Sequence, residues 1–251
     1  MIRRSLLVPL LVLALALSAL GARQAPPKIQ VLILTGQHGH NWRETTPRLR
    51  EILENTGRFE VRVTEEPTGA GPETFAKYDV LLLHYRGPRW GERTEKALLD
   101  FVSGGKGLIV YHHADSAFPD WPEYDKLIGA AWRQGAGHGP RHEFTVQITD
   151  KEHPITRGMS DFAHASDELY HGLTVQPTIH VLATAFSDPA TGGNGTNAPM
   201  AYVQDYGKGR VFGLVLGHDT QAMDAGFASL LTRGAEWAAT GKVTLGSGAS
   251  Q

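Results

Sequence analysis

The sequence of 251 residues contains no cysteine, and this absence excludes several kinds of site. Without a thiol there can be no disulfide framework, no cysteine-ligated zinc or iron–sulfur site and no cysteine nucleophile. Any bound metal ion has to be held by imidazole, carboxylate or water. The chain also lacks an excess of positive charge, since 24 lysines and arginines face 26 acidic residues. We therefore expect no nucleic-acid partner.

Motifs for nucleotide binding and for serine hydrolases are missing as well. No Gly-x-Gly-x-x-Gly follows a predicted strand, so a bound dinucleotide has no support. The segment Ser103-Gly-Gly-Lys-Gly107 lacks the spacing of a phosphate-binding loop and leads into a strand, which indicates a helix-to-strand turn. Gly-x-Ser-x-Gly, the turn that presents a hydrolase serine, is also absent. We predict no nucleotide cofactor.

The first residues have the pattern of a secretory signal peptide. Two arginines precede an uncharged run from Leu6 to Leu20, and Ala19-Leu20-Gly21 supplies small residues at a cleavage position. The alternative is a membrane anchor, but a run this short, interrupted by Pro9, falls below the roughly 20 residues that span a bilayer. We predict a signal peptide over 1–22, export to the periplasm or cell exterior, and no stable membrane span after cleavage.

From Lys28 onward, strand and helix patterns alternate with short turns. Apolar runs and alternation predict strands at 28–34, 59–64, 79–84 and 107–111, and helical spacing predicts helices at 44–56 and 93–102. Repeated β-α-β units with apolar strands are typical of a parallel sheet covered on both faces.

The second half of the chain shows more strands and fewer helices. Strands are predicted at 143–149, 179–186, 199–204 and 210–216, and a closing helix at 225–239. No internal repeat or long linker divides the chain. The simplest interpretation is one α/β domain over 28–244, followed by a flexible tail over 245–251.

Histidine is plentiful, and its placement favours a ligand site. In an open α/β sheet, ligands bind beyond the carboxyl ends of the strands. Six of the 12 histidines stand at predicted strand ends, namely His38, His40, His84, His112, His113 and His218. A catalytic zinc site usually takes three protein ligands, often imidazoles, plus water. We therefore expect a divalent metal ion, zinc or similar, held by His38, His112 and His218.

Other polar residues are harder to assign. Glu168 is the carboxylate best suited to complete the metal set or to act as a base, with a solvated acidic turn beside Asp167 as the alternative. The residues interpreted as structural are His84, His153 and His180. His164 and His171, which flank 167–170, are given no role.

Loops supply further candidates for a pocket. His138 and His142 lie in a segment rich in glycine and proline, so they are interpreted as loop residues that can fold over a pocket. Tryptophans occur in or beside predicted loops at Trp42, Trp90, Trp121 and Trp132. Aromatic faces suit the apolar faces of a sugar ring, although core packing explains each tryptophan equally well.

Short motifs follow one another in order between Lys28 and Thr244. They are Val-Leu-Ile-Leu-Thr-Gly-Gln-His-Gly-His-Asn-Trp (31–42), Gly-Leu-Ile-Val-Tyr-His-His-Ala (107–114), Trp-Pro-Glu-Tyr (121–124), Leu-Ile-Gly (127–129), Gly-His-Gly-Pro-Arg-His-Glu-Phe (137–144), His-Pro-Ile-Thr (153–156), Asp-Glu-Leu-Tyr (167–170), Tyr-Gly-Lys-Gly-Arg-Val-Phe (206–212) and Leu-Gly-His-Asp (216–219). This ordered series resembles the ThuA-like, or trehalose-utilisation, family. The resemblance implies the class I glutamine amidotransferase fold, an α/β flavodoxin-like three-layer domain with a mainly parallel central sheet.

The resemblance also has consequences for the chemistry. Amidotransferases carry a cysteine at the sharp turn after a central strand, where this chain has His112 and His113, so glutaminase chemistry is excluded. ThuA-like proteins are associated with bacterial sugar catabolism, especially of 3-keto glycosides made by a partner oxidoreductase. A 3-keto group acidifies the C2 hydrogen, so a base and an oxyanion stabiliser suffice to cleave the glycosidic bond.

The resulting hypothesis is an exported enzyme that cleaves 3-keto-glycosides or 3-keto-disaccharides by metal-assisted hydrolysis or a lyase-type step. The expected metal ligands are His38, His112 and His218. The expected proton-transferring groups are Glu168, His113, His142 and Asp219. The expected substrate contacts are Trp42, His40, Asp115, His138 and Tyr170, with Asp115 also able to orient His113. The alternative is a non-catalytic carbohydrate-binding or accessory domain, and the oligomeric state stays open.

Overall fold

The computed structural model describes residues 27–37 and 39–247. The predicted signal peptide, the ligand candidate His38 and residues 248–251 of the predicted tail lie outside the described residues. Residues 245–247 are in contact with the domain, because Leu245 packs against the core and the Ser247 carbonyl accepts a hydrogen bond from Ser229. Across the described ranges, no helix has the length and apolar character that a membrane crossing requires.

Strands and helices alternate in the first part of the chain and strands dominate later. The strands are β1 (Ile29–Leu34), β2 (Phe59–Thr64), β3 (Val80–Leu83), β4 (Gly107–Tyr111), β5 (Ala130–Ala131), β6 (His142–Ile148), β7 (Phe162–Asp167), β8 (Thr174–Val175), β9 (His180–Phe186), β10 (Asn197–Tyr206) and β11 (Gly209–Leu214). The helices are α1 (Trp42–Asn55), α2 (Pro72–Phe75), α3 (Glu92–Ser103), α4 (Pro122–Ile128) and α5 (Ala225–Thr240). Short 3₁₀ turns occur at His112–Ser116, Pro189–Thr191 and Thr220–Ala222.

A nine-stranded sheet in the order β2-β1-β3-β4-β11-β10-β9-β6-β7 runs through the molecule. Strands β2, β1, β3, β4 and β11 pair in parallel, in the flavodoxin-like order 2-1-3-4-5. Strands β10, β9, β6 and β7 are added to β11 in antiparallel fashion. The predicted α/β fold is confirmed, and the antiparallel half makes its sheet mixed. A separate pair joins β5 to β8.

Alternation along the parallel strands builds two cores and hence three layers. In β1, Val31 and Ile33 belong to the core that contains residues of α1 and α5. Leu32 and Leu34 belong to the other core, which contains residues of α2, α3 and α4. Successive side chains of a strand point to opposite faces, and helices cover both faces here, so both sets are buried.

Several short or polar elements are not predicted from the sequence, among them α2, α4, β5, β7 and β8. Strand β7 reads Phe-Ala-His-Ala-Ser-Asp and has no continuous apolar run, because it lies at the edge of the sheet and has partly exposed residues. Strand β7 matters for the residues at its end, because it carries the chain to Asp167 and Glu168.

Candidate functional site

Four side chains converge at the carboxyl ends of the parallel strands. His40 follows β1, His112 follows β4 and His218 follows β11, so the sheet gathers residues that are distant in sequence. Glu168 comes from the end of β7 in the antiparallel half. One possible ligand atom from each of the four lies within 4.8 Å of the others. We call these residues the His/Glu group.

The backbone at His112 has an unusual conformation that aims its imidazole. Its φ of +42° lies in the left-handed region, which non-glycine residues rarely adopt and which is common at functional sites. Nδ1 lies 2.6 Å from the Val215 carbonyl oxygen, so Nδ1–H donates and Nε2 carries the lone pair. The Tyr170 hydroxyl donates to Nε2 over 2.9 Å. Burial lowers the pKa of His112, which favours the neutral form that binds metals.

Stacked histidine rings support His40. The rings of His40 and His113 stack with 4.1 Å between centroids, and His218 meets His40 edge-on at 4.6 Å. Beyond His113, the ring of His84 lies 5.0 Å away. The nitrogens of His84 are hydrogen-bonded to the hydroxyls of Thr35, Thr45 and Thr46. His84 is therefore a packing partner behind the site, which agrees with its interpretation as a structural residue.

The carboxylate of Glu168 faces three imidazoles. Its Oε2 lies 2.9 Å from Nδ1 of His218, 3.7 Å from Nε2 of His138 and 4.0 Å from Nε2 of His112. Burial alone would raise the pKa of Glu168, but the contact with His218 and the neighbouring imidazoles lower it. The same contact raises the pKa of His218. Glu168 is thus an ionised carboxylate at neutral pH and is able to accept a proton or bind a cation.

A buried carboxylate, Asp167, anchors the backbone of both Glu168 and His218. It accepts backbone N–H groups from Glu168 at 2.8 Å, Gly217 at 2.7 Å and His218 at 3.0 Å. Gly217 has φ +99°, a conformation open to glycine, and its carbonyl accepts the Tyr111 hydroxyl. The loop after β11 and the end of β7 are therefore held by one side chain.

His164 is a buried cation between two carboxylates. Its Nε2 donates to Asp167 at 3.0 Å and its Nδ1 donates to Asp224 at 2.7 Å. Burial would lower the pKa of His164, but the two carboxylates outweigh it and raise the pKa to about 9. Burial would raise the pKa of Asp167, but the hydrogen bonds from His164 and the Gly217 N–H lower it to about 2. This network is ionised at neutral pH.

The donor set of the His/Glu group fits a divalent metal ion. Three imidazoles match the three protein ligands of a catalytic zinc site, and Glu168 lies beside them as a fourth possible ligand. His112 already donates its other ring proton to a backbone carbonyl, as ligating histidines generally do. Metal bonds of about 2.0 Å place tetrahedral ligand atoms about 3.3 Å apart. Separations of up to 4.8 Å therefore have to close by roughly 1.5 Å when an ion binds.

The His/Glu group opens into a cavity of about 210 Å³. The cavity is lined by His40, Arg86, Ser116, Trp132, His138, Glu168, Tyr170 and His218. Trp132 and Tyr170 form an aromatic wall, with ring centroids 4.5 Å apart. A larger groove of about 640 Å³ lies between α1 and α5, but Arg48 is the only ionisable side chain among its described lining residues. The smaller cavity is therefore the candidate site.

The structure brings together about half of the residues proposed from the sequence. His40, His138, Glu168, Tyr170 and His218 line the cavity, and His112 lies beneath it, bonded to Tyr170. His40, which was predicted to contact substrate, belongs to the His/Glu group, whereas His38 was the predicted ligand from the same loop. His38 itself is outside the described residues.

The other proposed residues lie away from the cavity wall. His113 is buried behind His40, and Asp115 is buried with no hydrogen bond from the described residues to its carboxylate oxygens. Asp219 pairs with Arg141 and begins the turn Thr220–Ala222. His142 is hydrogen-bonded to Pro140 and Thr191, and Trp42 packs at the start of α1 with Arg43 over its ring.

Sequence reasoning missed two residues of the cavity wall. Arg86 follows the end of β3 at Leu83 by three residues, and Ser116 ends the turn that begins at His112. The rule that ligands bind beyond parallel strand ends points to both positions. Neither position carries the histidine or carboxylate that a predicted metal site requires.

The fold is shared with class I glutamine amidotransferase-like proteins, and here the turn after β4 presents an imidazole. PurLQS from Thermotoga maritima superposes with a TM-score of 0.56 at 13% identity, over 84% of this chain and 98% of that one, which shows the fold alone. The family model for trehalose utilisation, ThuA, matches residues 30–238, and the chain belongs to this family.

Two solved structures of ThuA-like proteins are similar to this chain. The protein from Parabacteroides merdae is 36% identical with a TM-score of 0.80, and the match covers 88% of this chain and 93% of that one. The protein from Bacteroides uniformis is 19% identical with a TM-score of 0.70, covering 87% and 94%. No curated protein matches the sequence.

Proposed function

We propose that the protein is an exported, metal-assisted enzyme that cleaves 3-keto-glycosides or 3-keto-disaccharides. The observation that carries this proposal is the convergence of His40, His112, His218 and Glu168 at one cavity. The family's description as trehalose utilisation supplies the sugar context. A wall of Trp132 and Tyr170 is suited to the apolar face of a sugar ring.

The chemistry needs one base and one proton donor. A base removes the hydrogen at C2, the resulting enolate expels the C1 oxygen substituent, and that oxygen takes up a proton to leave as an alcohol. Water then adds across the C1–C2 double bond, so that the net reaction consumes one water and gives the free keto sugar and the alcohol. The carbonyl oxygen carries negative charge in the transition state, and its stabilisation is the largest single requirement.

Residues of the cavity are the proposed base and proton donor. Glu168, ionised and 2.9 Å from His218, is the base for the C2 hydrogen. His138, which lines the cavity 3.7 Å from the same carboxylate, is the proposed proton donor to the leaving oxygen. The Tyr170 hydroxyl, which donates to His112, can accept a hydrogen bond from a hydroxyl of the substrate.

The imidazoles of His40, His112 and His218 are the proposed metal ligands. A divalent ion held there would stabilise negative charge on the keto and neighbouring hydroxyl oxygens. Without an ion, His218 would still position Glu168 through the contact between Nδ1 and the carboxylate.

Metal content and turnover test the proposal together. Purified protein is expected to hold close to one equivalent of divalent metal, and the triple variant His40→Ala/His112→Ala/His218→Ala is expected to hold almost none. Release of free sugar from a 3-keto-glucoside should fall by about 10² or more in Glu168→Gln. His180→Ala, a surface histidine paired with Asp150, is the matched control and should keep both properties. Metal content that is low in the parent protein and unchanged in the triple variant contradicts the metal assignment.

A non-catalytic carbohydrate-binding role is the second candidate, and the aromatic wall of Trp132 and Tyr170 favours it. Saturable binding of sugars without turnover across a panel of 3-keto-glycosides would select this role. Loss of binding in Trp132→Ala would then identify the wall as the binding surface.

Export is part of the proposal and has its own measurement. The pattern over 1–22 supports secretion. N-terminal sequencing of the protein from a periplasmic or culture fraction should begin near residue 23. A chain that starts at Met1 and stays with the cytoplasmic fraction contradicts export.

A further inference from the structure

Arg86 differs from the other arginines that the structure describes. Within residues 27–37 and 39–247, every other arginine donates a hydrogen bond or lies over the ring of Trp42. Arg86 has neither a hydrogen bond nor an ion pair within those residues, and it lines the cavity beside Ser116. A guanidinium offers five N–H donors and no acceptor. Its donors are therefore available to a molecule in the cavity.

The charge of Arg86 is not balanced by the carboxylates nearby. Glu168 is already compensated by His218 at 2.9 Å and by His138 at 3.7 Å. Asp115 forms no ion pair with Arg86 across the described chain. Burial raises the pKa of Asp115 well above its usual range and outweighs the attraction of Arg133 and Arg86, which favours the uncharged acid. The cavity wall at Arg86 therefore carries a positive charge that a ligand can neutralise.

The neighbouring hydroxyl groups use their protons within the protein, so Arg86 supplies the free donors on this side of the cavity. The Ser116 hydroxyl donates to the His113 carbonyl at 2.7 Å. The Tyr170 hydroxyl is engaged with His112. Neutral sugars present hydroxyls that both donate and accept, whereas a carboxylate or phosphate only accepts. An acceptor-only group matches a guanidinium best, and it can bind in a bidentate manner.

We propose that the cavity selects sugars that carry an anionic group, a carboxylate or a phosphate, and that Arg86 binds this group while the ring lies against Trp132. This inference rests on the proposed function and specifies its substrate class. The cavity of about 210 Å³ is below the 300–1,000 Å³ of ordinary ligand pockets, so it takes a single ring with the remainder of the molecule outside.

Binding of three matched sugars tests the proposal. Glucose, glucuronate and glucose 6-phosphate share one ring and differ in charge, and their affinities can be measured by calorimetry on metal-free protein. Removing the metal prevents the anion from binding an ion instead of Arg86. At least one charged sugar is expected to bind about tenfold or more tightly than glucose, because a hydrogen bond to a charged group contributes that much. The glucuronate and phosphate measurements decide which anion is preferred.

Variants assign the effect to Arg86. Arg86→Gln should remove the preference for the charged sugar over glucose, and Arg86→Lys should restore part of this preference. Arg93→Gln, which loses an exposed pair with Glu73 outside the cavity, is the matched control and should keep the preference. Because Arg86 is exposed, thermal unfolding of Arg86→Gln should match the parent protein and exclude misfolding.

Equal affinity for the three sugars, no saturable binding by any of them, or an equal loss in Arg93→Gln would overturn the proposal. Its failure is distinguishable from failure of the proposed enzyme. Turnover of a neutral 3-keto-glucoside, together with no anion preference, rejects the role of Arg86 and keeps the enzyme. An Arg86-dependent preference without turnover of any keto-glycoside keeps the anion site and rejects the enzyme.

Discussion

The parallel and antiparallel halves of the sheet contribute to the site in different ways. The parallel half delivers His40, His112 and His218 at strand ends, where the topology itself brings them together. The antiparallel half delivers Glu168 through hydrogen bonds that Asp167 makes to backbone groups about 50 residues away. Strand ends of a parallel sheet gather residues by geometry alone, whereas the antiparallel half depends on a buried ionic network.

The largest effect is expected from breaking that network. Asp167→Asn removes the charge that His164 and three backbone N–H groups share, and breaking a buried ion pair costs about 3–5 kcal/mol. We expect the lower end of this range, because Asp224 still compensates His164. Urea unfolding measures the loss. Asp100→Asn, which breaks an exposed pair with Lys96 in the parallel half, is the control and should change stability by less than about 1 kcal/mol. Equal losses in the two variants would show that the halves do not differ.

The next effect is a dependence of stability on pH. The pKa of His164 is raised from 6.5 to about 9 in the folded protein, so the imidazolium stabilises the fold fully below pH 6.5. This contribution, roughly 3 kcal/mol, is lost as the pH rises from 6.5 through about 9. Urea unfolding at several pH values should show this decline in the parent protein and a flatter profile in His164→Gln. A parent profile that is flat over the same range contradicts the ionised network.

A smaller effect on stability is expected in the parallel half, at the turn of His112, where glycine should be more stabilising than alanine. Both His112→Ala and His112→Gly remove the imidazole, but only glycine relaxes the φ of +42°. The glycine variant should therefore be the more stable of the two by about 1 kcal/mol in thermal or urea unfolding. Ala117→Gly, at φ −66°, should show the usual loss of about 0.5–1 kcal/mol instead. If alanine is preferred at position 112, the backbone there carries no strain.

The smallest effects are expected at surface pairs in both halves. Lys96→Ala breaks an exposed pair with Asp100 in α3, and His180→Ala breaks one with Asp150 at the start of β9. Each should change stability by less than about 0.5 kcal/mol at moderate salt. Similar small values in the two halves would sharpen the comparison, because the difference would then lie in the interior alone. A large loss of stability in His180→Ala would show that surface pairs also contribute to the difference between the halves.

The predictable part of the molecule is the parallel half. Strands β2 and β4 have the predicted bounds, because their apolar residues satisfy a local pattern that burial on both faces imposes. The histidines at the ends of β1, β4 and β11 follow from the same pattern, because a parallel sheet aligns its carboxyl ends. Glu168 was selected as the carboxylate best suited to complete the histidine set, although the spacing of its own segment favoured a solvated turn.

The unpredicted part depends on partners that are distant in sequence. Asp167 is fully buried, although the sequence also allowed a solvated acidic turn, because its hydrogen-bond partners come from β7 and from the loop after β11. His164, which received no role, is fixed by Asp224 from the start of α5. Local patterns contain no information about such pairs. Arg86 and Ser116 carry no metal-ligand chemistry, and the cavity shows their relation to the site.

Asp224 has a consequence for the motions of the site. One of its oxygens accepts the Phe227 N–H at the first turn of α5, and the other accepts His164 and the Ala165 N–H. Fraying of α5 at this end therefore breaks the hydrogen bond between Asp224 and His164. It thereby weakens the hydrogen bond of Asp167 to the backbone of His218. The amide hydrogens of Ala165, His218 and Phe227 belong to a single opening unit and should exchange with solvent at one common free energy. The helix start and the binding loop then open together, as one cooperative event.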